Sequence, residues 1–311
     1  MSTVTSKDKA TAVVFAIVAT ALLIEVGFRL LGPDQNQFNN VLDVYPDNPR
    51  GYFDRLSDAD SEASYGVPMD TAVGLGGRRG QPEASATILG LGDSQAQGQG
   101  VRHEDTLYAK LGVKLGTPVR NVAVRGYDLE EVVSRYAYEA RDRGQYEWVV
   151  YALVLDDFGL EGQGLDHKDL APSPWRARSA TINFFSHISE QWALSQDTTA
   201  AYLQSFSGMR LSAGTEKIRL LNDAVQADGA RLILVIWPLL YDFDTYPFHP
   251  IHQELNSLAA ELEVPTVDGL SVLSERKAPS LWVHAIDHHP NEKAHELMAE
   301  AVAQKIKNVG Q

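Results

Sequence analysis

The stretch Thr87–Ser94 reads Thr-Ile-Leu-Gly-Leu-Gly-Asp-Ser, an apolar run that stops abruptly at Gly-Asp-Ser. The run predicts a buried strand, and Gly92 permits a tight turn directly after it. A serine in that position stands at the carboxyl edge of a sheet, where α/β enzymes carry their chemistry. Ser94 is therefore a candidate nucleophile, although an ordinary polar turn after a strand gives the same tripeptide.

Strands and helices alternate along the chain on both sides of a long central interruption. Strands without a polar side are typical of a parallel sheet that helices cover on both faces, so the pattern predicts an α/β fold. The predicted strands after the first are Val119–Val124, Trp148–Leu155, Arg231–Trp237 and Pro265–Val267. The predicted helices are Thr106–Leu115, Leu129–Asp142, Thr215–Asp228, His252–Leu262 and Glu292–Ile306.

Composition excludes several classes of function. The chain has 311 residues, a formal net charge of −14 and no basic block, which argues against a nucleic-acid partner. It contains no cysteine, which excludes thiol catalysis, disulfides and cysteine-ligated metal sites. We expect no metal, because the spacing of Asp242, Asp244, His249 and His252 follows no recognised ligand pattern. We expect no cofactor, because the glycine-rich run 92–100 lacks the Lys-Ser/Thr of a phosphate loop and is too short for a dinucleotide fingerprint.

The N-terminus carries an apolar segment from Ala10 to Leu31 that only Glu25 and Arg29 interrupt with charge. As a helix it would be about 33 Å long, enough to cross a bilayer core of about 30 Å. Glu25 and Arg29 lie four residues apart and can pair near the interface. A cleaved signal peptide with a site near Ala21, or a buried soluble helix, are the alternatives.

The predicted organisation follows from these segments. Residues 1–31 form a cytoplasmic tail and a transmembrane anchor, residues 32–84 a linker and irregular lead-in, and residues 85–311 the main domain. A long break in the strand–helix rhythm, about 159–214, predicts a helical insertion with helices near Ile182–Leu194 and Thr198–Phe206. Lys7 and Lys9 before the span favour a single-pass protein of the cytoplasmic membrane, with the tail inside and the domain outside.

A second polar cluster, Asp287–Asn291, precedes the last predicted helix. We expect this cluster on a loop, where an aspartate two residues before a histidine can accept a hydrogen bond from its imidazole and leave the other ring nitrogen to face a serine. Asp287 and His289 are therefore candidate partners of Ser94. Polar residues at the start of a helix, without a catalytic role, are the alternative.

Taken together, these segments resemble the SGNH (GDSL-type) hydrolase family. The blocks are Gly90–Ser94 with Gly98 and Gly100, then Asn121–Tyr127, then Asp287–Asn291, in the family's order. The resemblance extends from Thr87 to Ile306, is weak across the insertion, and includes features of membrane-anchored bacterial members.

The family resemblance implies a flavodoxin-like α/β/α sandwich with three layers. It also implies that Ser94 is the nucleophile, that His289 is the base and that Asp287 orients His289. The amide of Gly126 then falls on the family's oxyanion position.

Two departures from the family pattern stand out. After the third buried strand the family usually has Asn-Asp, with the Asn side chain donating to the oxyanion, whereas this chain has Asp156-Asp157. Loss of one oxyanion donor typically costs about 3 to 4 kcal/mol of transition-state stabilisation. The family's usual Asp-x-x-His spacing would also put the aspartate at Ile286, so Asp287 has to act from two residues before His289.

The resemblance implies a membrane-anchored serine esterase or O-acyltransferase. Its expected substrates are ester-linked acyl groups, chiefly acetyl groups, of glycans outside the cytoplasm. A non-catalytic scaffold or binding protein of a cell-envelope glycan complex is one alternative, with Asp156 as the sign of lost activity. A secreted lipase is the other alternative.

Overall fold

The computed structural model describes residues 6–31, 63–64, 67–68, 86–124, 126–143, 146–158, 178–182, 185–186, 189, 199, 202–203, 206, 208–284 and 287–310. We number the strands β1 Ile88–Gly92, β2 Val119–Asn121, β3 Trp148–Leu153, β4 Arg231–Ile236, β5 Thr266–Asp268, β6 Trp282–His284 and β7 Asp287–Pro290. The helices are α1 Ser6–Leu31, α2 Ser94–Gln97, α3 Leu107–Leu115, α4 Leu129–Arg143, α5 Gly208–Ala227, α6 His249–Glu261, α7 Gly269–Leu273 and α8 Glu292–Val309. Ala63–Ser64 and Val67–Pro68 form a short antiparallel pair.

The chain divides into two compact units, residues 42–165 with 198–311 and residues 1–41 with 166–197. The larger unit contains a five-stranded sheet of order β2-β1-β3-β4-β5 in which every neighbouring pair is parallel. This is the flavodoxin-like 2-1-3-4-5 order, whose switch point lies between β1 and β3. The predicted parallel α/β fold is thereby confirmed.

The apolar runs in the sequence form the inner strands, as predicted. All residues of β1 and β3 are buried, as are all residues of β4 after Arg231. A strand that helices cover on both faces has no polar side, which is why these segments show no alternation. The carboxyl ends of all five strands meet at one edge of the sheet, so the segments that follow β1, β2 and β3 lie along that edge.

The smaller unit contains α1, a helix of 26 residues. Its stretch Thr11–Leu30 is the single helix in the described part of the chain that is long and apolar enough to cross a membrane. The helix exposes large apolar side chains on every side, including Val13, Val14, Phe15, Ile17, Val18, Leu22, Leu23, Ile24, Val26 and Leu30.

Some expectations differ from the structure in detail. The residues Asp287–His289, expected in a loop, form strand β7 of an antiparallel hairpin with β6. The helix predicted from Thr215 begins at Gly208, inside the range assigned to the insertion. Most of the two predicted insertion helices and of the 32–84 linker lie outside the described residues, so the domain boundaries stay predictions.

Candidate active site

The turn after β1 depends on glycine. Gly92 has φ +144°, and a Cβ there would lie 2.6 Å from Cβ of Ala96 and 2.7 Å from the carbonyl oxygen of Ala152. Asp93 then caps α2 by accepting a hydrogen bond from the amide of Gln95 at 2.9 Å. Ser94 is thus the first residue of α2, held at the carboxyl end of a central strand.

Two buried side chains that sequence reasoning did not single out support this turn. Asn121, at the end of β2, donates from Nδ2 to the carbonyl of Ala96 in α2 at 3.1 Å and accepts from the amide of Ala123 at 3.0 Å. The hydroxyl of Tyr108 lies 2.5 Å from the carbonyl oxygen of Leu91, at the end of β1. Asn121 stood within the second family block, so a polar residue at the end of a buried strand was the available signal.

The hairpin β6–β7 carries the candidate aspartate and histidine. Asn291, directly after β7, caps α8 by accepting from the amides of Lys293 and Ala294, both at 3.1 Å. Its Nδ2 also donates to the carbonyls of Ser280 and Trp282. The same side chain therefore fixes both the end of the hairpin and the start of the helix, because it satisfies backbone groups of each.

The structure brings Ser94, His289 and Asp287 together. Nδ1 of His289 lies 2.5 Å from Oδ1 of Asp287, and Nε2 of His289 lies 2.9 Å from Oγ of Ser94. Because a carboxylate oxygen can only accept, the proton of the neutral imidazole belongs on Nδ1 and the lone pair on Nε2 faces the serine hydroxyl. Asp287 also accepts from the backbone amide of His289 at 3.0 Å, which holds the carboxylate in place.

The serine hydroxyl has a second acceptor in reach. Oγ of Ser94 lies 3.3 Å from Oδ2 of Asp93, compared with 2.9 Å from Nε2 of His289. Asp93 is buried, with 4% of its surface exposed. The shorter distance favours the imidazole as acceptor, and transfer of the hydroxyl proton to Nε2 would leave the oxygen as a nucleophile.

The predicted oxyanion residues lie along the same edge of the sheet. Gly126 follows β2 in a turn and has φ +83°, a conformation that favours glycine. Asp156 lies in the short 3-10 turn Leu155–Phe158 after β3, and its side chain is outside the described part. The neighbouring Asp157 is buried, and its Oδ2 accepts from the hydroxyl of Tyr151 at 2.6 Å and the amide of Val154 at 3.0 Å. The oxyanion roles of Gly126 and Asp156 stay predictions.

His288, the other histidine of the cluster, faces away from the serine. It stacks on Trp282 with ring centroids 3.9 Å apart and meets the edge of Tyr241 at 5.8 Å. Burial lowers the pKa of His288, and the proximity of His289 adds to this, whereas Asp287 opposes it. Trp282 in turn donates from Nε1 to the carbonyl of Leu240 at 2.6 Å, so this aromatic stack fastens the hairpin to the loop after β4.

The residues weighed as metal ligands make other contacts. Nδ1 of His252 lies 2.8 Å from Asp268, and Nε2 lies 3.1 Å from the hydroxyl of Tyr246. Asp242 accepts from the amide of Asp244 and the hydroxyl of Thr245 within its own loop. Within the described ranges, no group of three or more His, Cys, Asp or Glu side chains could hold a metal ion.

Comparisons with known proteins add the following. No family model matches the chain, and no curated protein does. Among solved structures, TesA is 15% identical with a TM-score of 0.48, and the match covers 71% of this chain and 98% of TesA. A G-D-S-L family protein from Desulfitobacterium hafniense is 15% identical with a TM-score of 0.45, covering 70% and 98%. Axe2, an acetylxylan esterase from Geobacillus stearothermophilus, is 14% identical with a TM-score of 0.45, covering 73% and 96%.

These neighbours are SGNH (GDSL-type) hydrolases. They belong to the family that the motifs of this chain resemble. Identities near 15% and TM-scores below 0.5 say nothing about the chemistry of this chain, so its chemistry has to be argued from the site.

Proposed function

We propose that the protein is a serine esterase or O-acyltransferase of the SGNH type, anchored to a membrane by α1. The observation that carries this proposal is the chain of contacts from Ser94 Oγ to His289 Nε2 at 2.9 Å and from His289 Nδ1 to Asp287 Oδ1 at 2.5 Å. A serine, a base in hydrogen-bond reach and a carboxylate that orients the base are the parts that acyl transfer through a covalent intermediate needs.

In the proposed mechanism, Oγ of Ser94 attacks the carbonyl carbon of an ester and its proton passes to Nε2 of His289. The amides of Ser94 and Gly126 stabilise the negative charge that develops on the carbonyl oxygen. His289 then gives the proton to the leaving alcohol, and an acyl group remains on Ser94. Attack by water, whose proton returns through His289, gives hydrolysis, and attack by a sugar hydroxyl gives acyl transfer.

The proposed substrates are acyl esters, chiefly acetyl esters of glycans outside the cytoplasm, with the membrane span holding the enzyme near them. Release of acetate from acetylated polysaccharide, compared with release of longer acids from matched esters, measures the preference for acyl length. A preference for long-chain esters would favour the lipase alternative.

The experiment that tests the catalytic proposal is active-site labelling. Purified protein is treated with a fluorophosphonate probe, and the modified residue is located by mass spectrometry. We expect an adduct on Ser94 that disappears in His289→Ala and persists in Ser271→Ala, a control serine in α7. Absence of an adduct, under conditions that label a known esterase, would refute the catalytic proposal and favour a scaffold.

The position of the Asp156 side chain bears on the choice between an active enzyme and the non-catalytic alternative. If its carboxylate faces the oxyanion, Asp156→Asn restores a donor and should raise kcat at least tenfold, since one such donor is worth about 10² to 10³ in kcat. The control is Asp242→Asn, in a loop outside the three family blocks. An unchanged or lower kcat would place Asp156 away from the developing charge.

A further inference from the structure

The smaller unit contains a polar contact that the proposed chemistry does not use. The carboxylate of Glu25, near the end of α1, accepts from the amide of Ala180 at 2.8 Å, the amide of Thr181 at 3.1 Å and the hydroxyl of Ser179 at 2.8 Å. A fourth donor is Nε of Arg29, one turn further along α1, at 2.8 Å. The carboxylate of Glu25, within the apolar part of α1, therefore binds the start of another segment.

Glu25 completes the cap of a second helix. Ala180, Thr181 and Ile182 are helical, and so are Phe185 and Ser186. The hydroxyl of Ser179 accepts from the amide of Ile182 at 3.2 Å, while Glu25 takes the two amides before it. The first three helical N–H groups thus all have acceptors, and negative charge at this end also suits the helix dipole.

Two further contacts hold the same two segments together. Nη2 of Arg29 donates to the carbonyl of Arg178 at 2.8 Å, just before the capped residues. The rings of Phe28 and Phe185 meet edge to face, with centroids 5.9 Å apart. Residues 178–182 and 185–186, which we call the capped segment, are therefore bound to the last two turns of α1 by charge, backbone hydrogen bonds and an aromatic contact.

This segment also exposes apolar side chains next to the span. Ile182 is 51% exposed and Phe185 is 57% exposed, although Phe185 already contacts Phe28. On α1, Val26 and Leu30 are exposed in the same turns. Exposed apolar side chains therefore occur both on the last turns of the candidate membrane helix and on the segment that contacts them through Phe28 and Phe185.

We propose that the capped segment, residues 178–182 and 185–186, is a membrane-interface element, bound to the outer end of the span by Glu25 and Arg29, with Ile182 and Phe185 inserted in the lipid surface. This inference rests on the proposed anchoring by α1. An ionisable residue within a membrane span is costly unless it has partners, and here the partners are the N–H groups of the capped helix. The partner of these exposed side chains is the bilayer, because Phe185 packs against Phe28 of the proposed span, whose neighbouring apolar side chains would face lipid.

The consequence concerns the insertion after β3. Residues 166–197, which include the capped segment, belong to the smaller unit, whereas the chain before and after them belongs to the larger unit. An insertion held at the lipid surface would give the protein a second membrane attachment in addition to α1.

The absence of cysteine makes a direct test possible, since each introduced thiol is the only one. Full-length single-cysteine variants Val18→Cys, Ile182→Cys and Val113→Cys are labelled with a fluorophore and reconstituted in vesicles with lipid-attached quenchers. We expect quenching of position 18 by mid-chain quenchers, of position 182 by quenchers near the headgroups, and of position 113, exposed on α3, by neither. Adding Glu25→Ala should reduce quenching at position 182 at least twofold and leave position 18 unchanged, whereas Glu130→Ala, a control on α4, should change neither.

The outcomes separate the two proposals. Quenching at position 18 without quenching at position 182 would overturn the interface element and leave the anchor intact. No quenching at position 18 would refute the anchor and the inference together. Quenching at position 182 that does not respond to Glu25→Ala would show that Glu25 does not hold the segment at the lipid surface, and would overturn the inference as stated.

Discussion

At the scale of single residues, the contact between Asp287 and Nδ1 of His289 sets the tautomer of the histidine. The carboxylate of Asp287 can only accept, so it selects the His289 tautomer with the proton on Nδ1. The carboxylate also accepts a hydrogen bond from the backbone amide of His289. His289 therefore holds the carboxylate through its backbone as well as through its ring. The lone pair on Nε2 is then directed at the candidate nucleophile by geometry alone.

Asp287→Asn should therefore lower kcat while leaving the fold intact. An amide can donate to Nδ1 and stabilise the wrong tautomer, and the equivalent change in a Ser-His-Asp protease lowers kcat by about 10⁴. We expect a fall of about 10³ to 10⁴ in kcat toward a small acetyl ester, with an unchanged urea midpoint. His288→Asn is the neighbouring comparison, because His288 contacts Trp282 rather than Ser94. Activity within threefold of the wild type for Asp287→Asn would contradict the assigned role.

At the scale of elements, strand β7 explains the unusual aspartate–histidine spacing. Successive side chains of a strand point to opposite faces, so residues two apart share a face. Asp287 and His289 thus meet on one side of β7, while His288 points to the other side and packs on Trp282. In a strand, the nearest residues on the same face are two apart, which explains the spacing of Asp287 and His289. A loop, as the sequence predicted, offers no such explanation.

The turn between β1 and α2 should be intolerant of a side chain. Gly92→Ala combines an unfavourable backbone conformation, about 1 to 2 kcal/mol, with overpacking against Ala96 and Ala152, about 1 to 3 kcal/mol. We expect a loss of about 2 to 5 kcal/mol in the free energy of unfolding, measured by urea denaturation. Gly116→Ala is the matched control, because Gly116 also has positive φ, +66°, but a Cβ added there would meet nothing within 4 Å. Equal losses in both variants would show that the close contacts at Gly92 carry no cost.

The start of α4 at Leu129, three residues after Gly126, should make stability depend on pH. Burial, and then the hydrogen bond and charge of Asp128, raise the pKa of Glu131 from 4.5 to about 8. Since the folded pKa lies above the unfolded one, the stabilisation from the bound proton is complete below about pH 4.5 and is lost as the pH rises through about 8.

Glu131→Gln keeps a neutral donor toward Asp128 at every pH and should remove this loss. The urea midpoint of the variant relative to the wild type should therefore rise between pH 4.5 and pH 9. Glu130→Gln, on the exposed side of the same turn, is the control. A relative midpoint that stays constant over this range would show that Glu131 is not protonated in the folded protein.

At the scale of the whole molecule, α1 is long and apolar enough to cross a membrane, and the proposed anchoring rests on it. Its apolar side chains are exposed all round, and a helix of 26 residues is about 39 Å long. We expect the full-length protein to stay in the membrane fraction through alkaline carbonate extraction and to dissolve only in detergent. The N-terminal peptide should also survive in the mature protein, as mass spectrometry can show. Recovery of a soluble form that begins near residue 22 would instead indicate a cleaved signal peptide.

The sequence alone determined where most strands and helices lie and which residues are candidates for catalysis. Apolar runs that span both faces specify buried parallel strands, and the Gly-Asp-Ser and Asp-x-His motifs identify candidate groups, because these signals depend on neighbours along the chain. Asn121 was visible within a motif, but its contact with Ala96 was not.

Only the tertiary structure decided which of these groups meet. Ser94 and His289 are 195 residues apart, and Glu25 and Ala180 are 155 apart. Such pairs are set by the packing of the sheet, the hairpin and the helices, and no local pattern in the chain records that packing. The family resemblance implies His289 as the base, and the alternation of strand β7 gives the physical reason, since His289 lies against Ser94 while His288 packs on Trp282.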